Sequence, residues 1–358
     1  MNKLDKYIIS SYIKSFFLGM MMFFLIFVLA ESISLTGWIM DGKFTLKEAF
    51  EYLSYGIPEI VTNTAPLGIL LGSLLAISKM AKQLEITAMK TSGISFLRIA
   101  RFPLIFSFIV SISVLFINTD ILGKANSRKS NMKLLKLEQA EPVKVEKNFV
   151  LVKIDKNKIL YSGYVNKKDG IMREIEIIEM ADDFKHVKTV YTATGAVLEK
   201  GSDNWNFENL KEHSITSNTS KTVDPSVFKF KVPIDDILAD PVKAKNLTMK
   251  ELREKIVYFT RVGADSIDLL IDFYYRISFA LASFVMCFIG LSLGSRYVRG
   301  GAAVNIGLSV IIGYSYYGFS TILKSLAAAG TMPVYLACFL PLLIYFGVGI
   351  KLFSNAEY

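Results

Sequence analysis

Six long stretches of the chain carry no charged residue, and they decide what it can fold into. Each is close to the ~20 residues that a helix needs to cross a ~30 Å hydrocarbon core. They cover residues 15–30, 60–78, 102–119, 277–295, 300–323 and 325–350. Residues 120–268, between the third and fourth stretches, contain many charged residues and no such stretch. The pattern predicts a polytopic α-helical membrane protein with six transmembrane helices and one water-exposed insert. A chain with 52% hydrophobic and 20% charged residues is neither disordered nor an ordinary soluble enzyme.

The short loops and chain ends show an uneven distribution of Lys and Arg. The two chain ends and the loops after the second and fourth stretches lie on one side of the membrane. Together they contain eleven basic residues: Lys3, Lys6, Lys14, Lys79, Lys82, Lys90, Arg98, Arg101, Arg296, Arg299 and Lys351. The opposite short loops contain three: Lys43, Lys47 and Lys324. Because cytoplasmic loops are enriched in basic residues, both termini are expected in the cytoplasm and the insert outside it. This loop bias also explains much of the net charge of +9 without a nucleic-acid partner, which would need a basic folded face with stacking aromatics.

The first stretch has one alternative interpretation. Its basic start and the sequence Val28-Leu29-Ala30 resemble a cleaved signal peptide. However, the apolar run continues past Glu31 to Met40, which favours a retained transmembrane helix. The downstream topology is the same in either case.

The insert changes to short β-rich segments at 149–154, 158–165, 171–180, 186–192, 195–200 and 204–217. Their spacing predicts a small antiparallel sandwich or jelly-roll-like domain. Residues 119–140 are expected to extend the third helix outward. Residues 248–262 are expected to form an amphipathic helix that begins at a Thr248 cap and ends at Gly263. We therefore divide the chain into helices one to three at 1–118, the β domain with its helical linkers at 119–265, and helices four to six at 266–358.

The chain lacks the common catalytic and nucleotide-binding motifs. It has no GxxxxGK[ST] phosphate loop and no HExxH, so no catalytic residue, metal or bound cofactor is expected. Residues 290–294 (GLSLG) match GxSxG, which leaves a membrane-embedded serine hydrolase or protease using Ser292 as an alternative. Small residues at this spacing also favour close helix packing, and no strand precedes them.

The segment 79–93 is a short amphipathic stretch flanked by basic residues. Gly93 is a natural helix stop, and Glu85 is its one acidic residue. The segment is compatible with a helix that lies on lipid headgroups and with a docking helix for a soluble partner. The candidate contact residues are Lys82, Leu84, Glu85, Ile86, Met89 and Lys90.

Charged residues at the outer ends of the spans are candidates for binding lipid. Asp272 and Arg276 are four residues apart and can pair on one helix face. Glu31 and Lys324 have no local partner and either reach to water or, for Lys324, contact a lipid phosphate. Phe27 and Tyr317 belong to the aromatic residues of the first and fifth spans that offer an apolar wall.

The whole chain resembles the lipopolysaccharide-export permeases of the LptF/LptG type (YjgP/YjgQ family). The resemblance is carried by residues 5–8 (DKYI), 57–59 (IPE), 65–67 (APL), 85–93 (EITAMKTSG), 275–278 (YRIS) and 299–301 (RGG). It implies the permease half of an ATP-binding-cassette exporter. F and G paralogues pair around a lipid cavity above a dimer of a separate LptB-type ATPase, which binds ATP and Mg. It also implies LptC- and LptA-type bridge proteins as periplasmic partners and lipopolysaccharide as the substrate.

The resemblance also assigns roles to individual residues. Glu85 would be the coupling-helix acid, within a helix at about 79–92, that sits in a groove of the ATPase. Lys324, in Leu323-Lys324-Ser325, resembles the F paralogue's basic residue near the lipid phosphates, which favours the F paralogue. The chain departs from the family at Glu31, where members tend to have a basic residue. A membrane scaffold that binds partners without transport is a further alternative.

Overall fold

The computed structural model describes residues 3–138, 146–155, 157–181, 186–199, 204–215, 219–224, 230, 232, 234, 237, 243–262, 265–296 and 301–357. The chain divides into two compact units. The helical unit comprises Met1–Glu138, Ala244–Arg253 and Ile267–Tyr358. The β unit comprises Gln139–Lys243 and Glu254–Ser266.

Nine α-helices lie within the described residues. They are α1 (Lys3–Met40), α2 (Leu46–Lys82), α3 (Glu85–Thr91), α4 (Phe96–Phe116), α5 (Leu122–Lys133), α6 (Met249–Val262), α7 (Ile267–Arg296), α8 (Gly301–Ala328) and α9 (Val334–Glu357). A π turn (Ile117–Ile121) joins α4 to α5, and a second (Leu134–Glu138) follows α5. Six helices are long and apolar enough to cross a membrane: α1, α2, α4 with its extension to Leu137, α7, α8 and α9. The prediction of six helices able to span a membrane is confirmed. The third continues as a helix to Glu138, as predicted for 119–140, whose last two residues lie outside the described residues.

Two helix starts follow from their cap residues. Thr45 and Glu48 form a reciprocal capping box at the start of α2, in which the Thr45 hydroxyl accepts from the Glu48 N–H at 3.3 Å. Thr248 and Glu251 make the same arrangement at the start of α6, as the sequence predicts for Thr248. Satisfying the free N–H groups of the first turn in this way fixes where each helix begins.

The helical unit is built around α2 and α7. In the most apolar stretch of α2, 83% of the residues are buried, against 17% in α1. Glycines allow the close contacts, because a Cβ at Gly72 would lie 2.6 Å from the Phe16 Cα of α1. A Cβ at Gly290 of α7 would lie 2.8 Å from the Leu70 carbonyl oxygen of α2. Of the two interpretations of the GxSxG residues, a hydrolase motif or small residues for helix packing, this contact favours helix packing.

The described strands of the β unit form one antiparallel sheet in the order β1-β2-β3-β4-β6-β7, with β5 also paired to β4. The strands are β1 (Glu146–Asp155), β2 (Lys158–Asn166), β3 (Ile171–Met180), β4 (Val187–Leu198), β5 (Trp205–Glu208), β6 (Lys211–Ser214) and β7 (Thr219–Thr222). Leu160, Ile177 and Trp205 are fully buried in its core, and the Trp205 Nε1 donates to the Val232 carbonyl at 2.8 Å. An antiparallel sheet between the third and fourth spans is confirmed; its closure into a jelly roll stays a prediction.

The strand boundaries differ from the prediction in several places. β1 begins at Glu146 rather than at 149, and β7 (Thr219–Thr222) lies outside the predicted segments. The segments predicted at 186–192 and 195–200 are one continuous strand, β4. The segment predicted at 204–217 is two strands, β5 and β6, because Asn209 between them adopts a left-handed φ of 54°. Asn is one of the few residues that enter this region readily. It interrupts the pairing only locally, because β5 and β6 pair with β4 in the same register, Glu208 opposite Gly195 and Lys211 opposite Thr192.

Candidate functional site

The turn after α2 produces a short, sharply bounded helix. Leu84 adopts a left-handed φ of 62°, which ends the path of α2 and starts α3. Gly93 has a φ of 80° and its N–H donates to the Lys90 carbonyl, so α3 ends where the sequence predicts. A leucine in this region is sterically unfavourable, and its side chain is 63% exposed. The α2–α3 connection therefore holds an apolar side chain outward.

The candidate contact residues of α3 divide between its two faces. Ile86 and Met89 are buried in the main core of the helical unit. Lys82 and Leu84 are exposed, while Glu85 and Lys90 are half-buried. The buried pair fixes α3 on the unit and the exposed residues remain for a partner. Thr87, Ala88 and Thr91, which are also exposed, extend the outward face beyond the predicted set.

Both half-buried charges of α3 are tied to other helices. The Tyr7 hydroxyl of α1 lies 2.9 and 3.0 Å from the two Glu85 carboxylate oxygens. The Lys90 Nζ donates to the Ala356 carbonyl of α9 at 2.5 Å and lies 5.7 Å from the Phe96 ring centroid. Sequence reasoning missed Tyr7, because it is 78 residues away and nothing local links it to Glu85.

Arg276 lies at the centre of a buried polar cluster on α7. Its predicted pairing with Asp272 is confirmed at 2.6 Å. The guanidinium also donates to the carbonyls of Leu247 at 2.7 Å, Ala244 at 3.2 Å and Asn118 at 3.3 Å. Arg276 is only 3% exposed, so these bonds join α7 to the first π turn and to the segment before α6. Its assignment to a lipid phosphate stays a prediction that this burial disfavours.

Lys324 lies within α8, one turn before its end, rather than in the loop after it. The sequence interpretation of Lys324 as a loop residue is wrong because α8 continues to Ala328. The Lys324 Nζ stands 3.6 Å from the centroid of the Tyr275 ring, a cation–π contact with α7. The side chain is half-buried. The Lys324 ammonium group is therefore held near the end of α8, over the ring of Tyr275.

Glu31 pairs with a distant residue. Its carboxylate lies 2.8 Å from the Lys129 Nζ of α5, and this Nζ lies 5.1 Å from the Tyr52 ring centroid. The sequence offers Glu31 no local partner, and the helix extension after the third span supplies one. Glu31 therefore lies in a different place from Lys324, and the structure does not bring these two candidates together.

Phe27 and Tyr317 belong to one apolar cluster between α1, α2 and α8. Both pack against the buried residues Phe23, Leu67 and Leu71. The Tyr317 hydroxyl donates to the Asn63 backbone carbonyl, and its ring lies 5.5 Å from that of Phe279. Phe27 of the first span and Tyr317 of the fifth, both in the predicted aromatic wall, therefore pack against the same residues of α1 and α2.

The hydrolase alternative requires a free nucleophile at Ser292, and the geometry opposes this. Ser292 is fully buried and its hydroxyl donates to the Phe288 carbonyl of its own helix at 2.7 Å. A serine nucleophile needs a base within hydrogen-bonding reach instead. Among the described residues, no cluster of three or more His, Cys, Asp or Glu is arranged to hold a metal ion.

Comparison with known protein families gives a match over nearly the whole chain. A family model described as lipopolysaccharide export system permease LptF/LptG matches residues 6–355. The match covers essentially all of the helical unit and all of the β unit. No curated protein matches the chain.

Proposed function

Since the chain belongs to the LptF/LptG family of lipopolysaccharide export system permeases, we propose that it is the permease subunit of an ATP-binding-cassette exporter. It extracts lipopolysaccharide from the bacterial inner membrane and passes it to a periplasmic bridge. The subunit crosses the membrane several times, with both termini in the cytoplasm and the β unit in the periplasm, as the loop charges favour.

The observation that carries the proposal is α3. A helix of seven residues stands at the end of α2, anchored by Ile86 and Met89. It presents exposed Lys82 and Leu84 beside an oriented Glu85 carboxylate. This is a compact surface suited to a groove on a soluble protein. The partner is an LptB-type ATPase dimer, which binds ATP and Mg, since the chain has no phosphate loop of its own.

The outward faces of α1 and α8 support a lipid path shared with a second permease subunit. Large apolar side chains are exposed on both helices, among them Ile33 at 76% and Ile311 at 67%. Such faces need lipid or another apolar helix as a neighbour. We assign them to the cavity formed with a paralogous LptF/LptG-type subunit, in which Lys324 contacts a lipid phosphate. The resemblance of Lys324 to the F paralogue's basic residue favours F for this chain.

The sheet edge supports transfer to a bridge protein. β1 is the first strand in the order of the described sheet and pairs on one side with β2. Phe149 and Leu151 on this strand are 76% and 68% exposed. Among the described residues β1 has no second neighbour, and such an edge with exposed apolar side chains suits addition of a strand from LptC- or LptA-type proteins.

The proposal is tested by co-purification of the bacterium's LptB-type ATPase, untagged, with the tagged chain. The wild type should retain the ATPase, and Glu85→Ala should lose most of it, because charge-assisted hydrogen bonds to the carboxylate are removed. Glu51→Ala is the matched control. Glu51 is an exposed carboxylate that accepts from a tyrosine hydroxyl, Tyr55, at 2.7 Å near the start of α2. A wild-type chain that never retains the ATPase would instead indicate a scaffold.

A further inference from the structure

We infer that Tyr7 is a positioning residue for Glu85, and that through this contact α1 links the lipid-facing part of the permease to docking of the ATPase. The inference rests on the proposed function, because it assigns Glu85 to the ATPase interface. It adds a residue and a physical route by which the state of the lipid cavity reaches that interface.

The contact itself is specific. The Tyr7 hydroxyl lies almost equally far from both Glu85 oxygens, at 2.9 and 3.0 Å. A carboxylate at the first position of a short helix can otherwise rotate among several staggered conformers. A bridging hydroxyl donor selects the conformer in which the carboxylate faces α1. Tyr7 is itself 45% exposed, so the pair lies at the surface where a partner can reach it.

Residues on both sides of Tyr7 pack α1 against α2 and α4, so the position of Tyr7 follows from how α1 packs on these helices. Asp5 is 3% exposed and lies 3.5 Å from Arg101 of α4. Ile8 and Tyr12 are 2% and 0% exposed in the main core. The Tyr12 hydroxyl lies 3.2 Å from the Ser73 hydroxyl of α2. A shift of α1 therefore carries the Tyr7 hydroxyl with it.

The same helix reaches the proposed lipid region. α1 is continuous from Lys3 to Met40, with no proline. Phe27, in the cluster with Tyr317, lies about 30 Å from Tyr7 along the helix, at ~1.5 Å per residue. That distance is the thickness of a hydrocarbon core. A displacement or rotation of α1 when lipid enters the cavity would therefore change the Tyr7–Glu85 contact at the opposite side of the membrane.

The test compares Tyr7→Phe with wild type in the full chain, co-purified with its partners and reconstituted in nanodiscs. The variant removes one oxygen atom and keeps the ring. ATPase docking affinity should fall about threefold to tenfold as Glu85 populates other conformers. Lipopolysaccharide stimulation of ATP hydrolysis should fall towards the basal rate. The KM for ATP should stay unchanged, because the nucleotide site belongs to the partner. Tyr55→Phe, which removes the equivalent bond to Glu51, should match wild type in all three measurements.

A double-mutant cycle separates this inference from the proposed function. If Tyr7 acts through Glu85, then Tyr7→Phe has no further effect in the Glu85→Ala background. Additive losses would overturn the inference, as would normal docking and normal lipid stimulation in Tyr7→Phe. Either result leaves the proposed function intact if Glu85→Ala alone loses docking. Normal docking of Glu85→Ala would refute the proposed role of Glu85, and the inference with it.

Discussion

Replacing Arg276 by methionine should destabilise the helical unit, which is not the result expected for a residue that only binds lipid. The buried guanidinium satisfies three backbone carbonyls and the Asp272 carboxylate. Methionine approximates the stem of the side chain but donates no hydrogen bond. The carbonyls of Leu247 and Ala244 lose their donor, and Asp272 is left without its cation.

The size of the effect follows from this burial. Breaking a buried ion pair by removing one partner costs about 3–5 kcal/mol. For a unit of this size, 1 kcal/mol lowers Tm by about 2–4 °C, so a loss on the order of 10 °C is expected. Combining Arg276→Met with Asp272→Leu should cost less than the sum of the two single changes, because no uncompensated charge remains.

The assay is thermal aggregation of the detergent-solubilised chain, followed by size-exclusion chromatography after heating. Lys43→Met is the control. Its ion pair with Asp41 spans 3.9 Å, and both side chains are about half exposed or more. Exposed pairs contribute about 0–1 kcal/mol, so this variant should melt close to the wild type. If Arg276→Met melted like the wild type and lost only lipid binding, the structural role assigned to Arg276 would be refuted.

Three further predictions concern packing, lipid binding and topology. Gly72→Ala should destabilise the unit by about 1–3 kcal/mol, because its Cβ meets the α1 backbone, whereas Gly37→Ala, with open space, should melt like the wild type. Lys324→Glu should weaken lipopolysaccharide binding by about 1.5–3 kcal/mol, measured as reduced photocrosslinking, and should leave ATPase co-purification unchanged. Normal crosslinking would mean that Lys324 only lies at the membrane boundary. A cysteine at Lys168, exposed between β2 and β3, should react with an impermeant maleimide in spheroplasts and one at Gln83 should not; the reverse pattern would invert the topology.

The membrane architecture could be predicted because it depends on local composition. A charge-free run of about 20 residues has few structural options in lipid. The helix cap at Thr248 could be predicted for the same reason, since a capping box is contained within four residues. The Asp272–Arg276 pair was also local, because residues four apart meet on one helix face.

The contacts that define the candidate site are long-range, and periodicity does not reveal them. Tyr7 and Glu85 meet only because α1 and α3 begin at the same place on the helical unit. Lys129 reaches Glu31 because the third span continues as a helix through the π turn into α5. The three carbonyls around Arg276 belong to segments whose path the sequence pattern does not specify. All of these contacts depend on which helices are neighbours in the folded unit.

The most direct test of the account is ATP-driven release of lipopolysaccharide from proteoliposomes. The liposomes would contain this chain, its paralogous permease subunit, the ATPase dimer and the single-span LptC-type partner, with a soluble LptA-type acceptor outside. Lipopolysaccharide should be transferred to the acceptor only when ATP is present, and Glu85→Ala should abolish this transfer. Lipopolysaccharide that binds the complex but is never transferred on ATP hydrolysis would contradict this prediction.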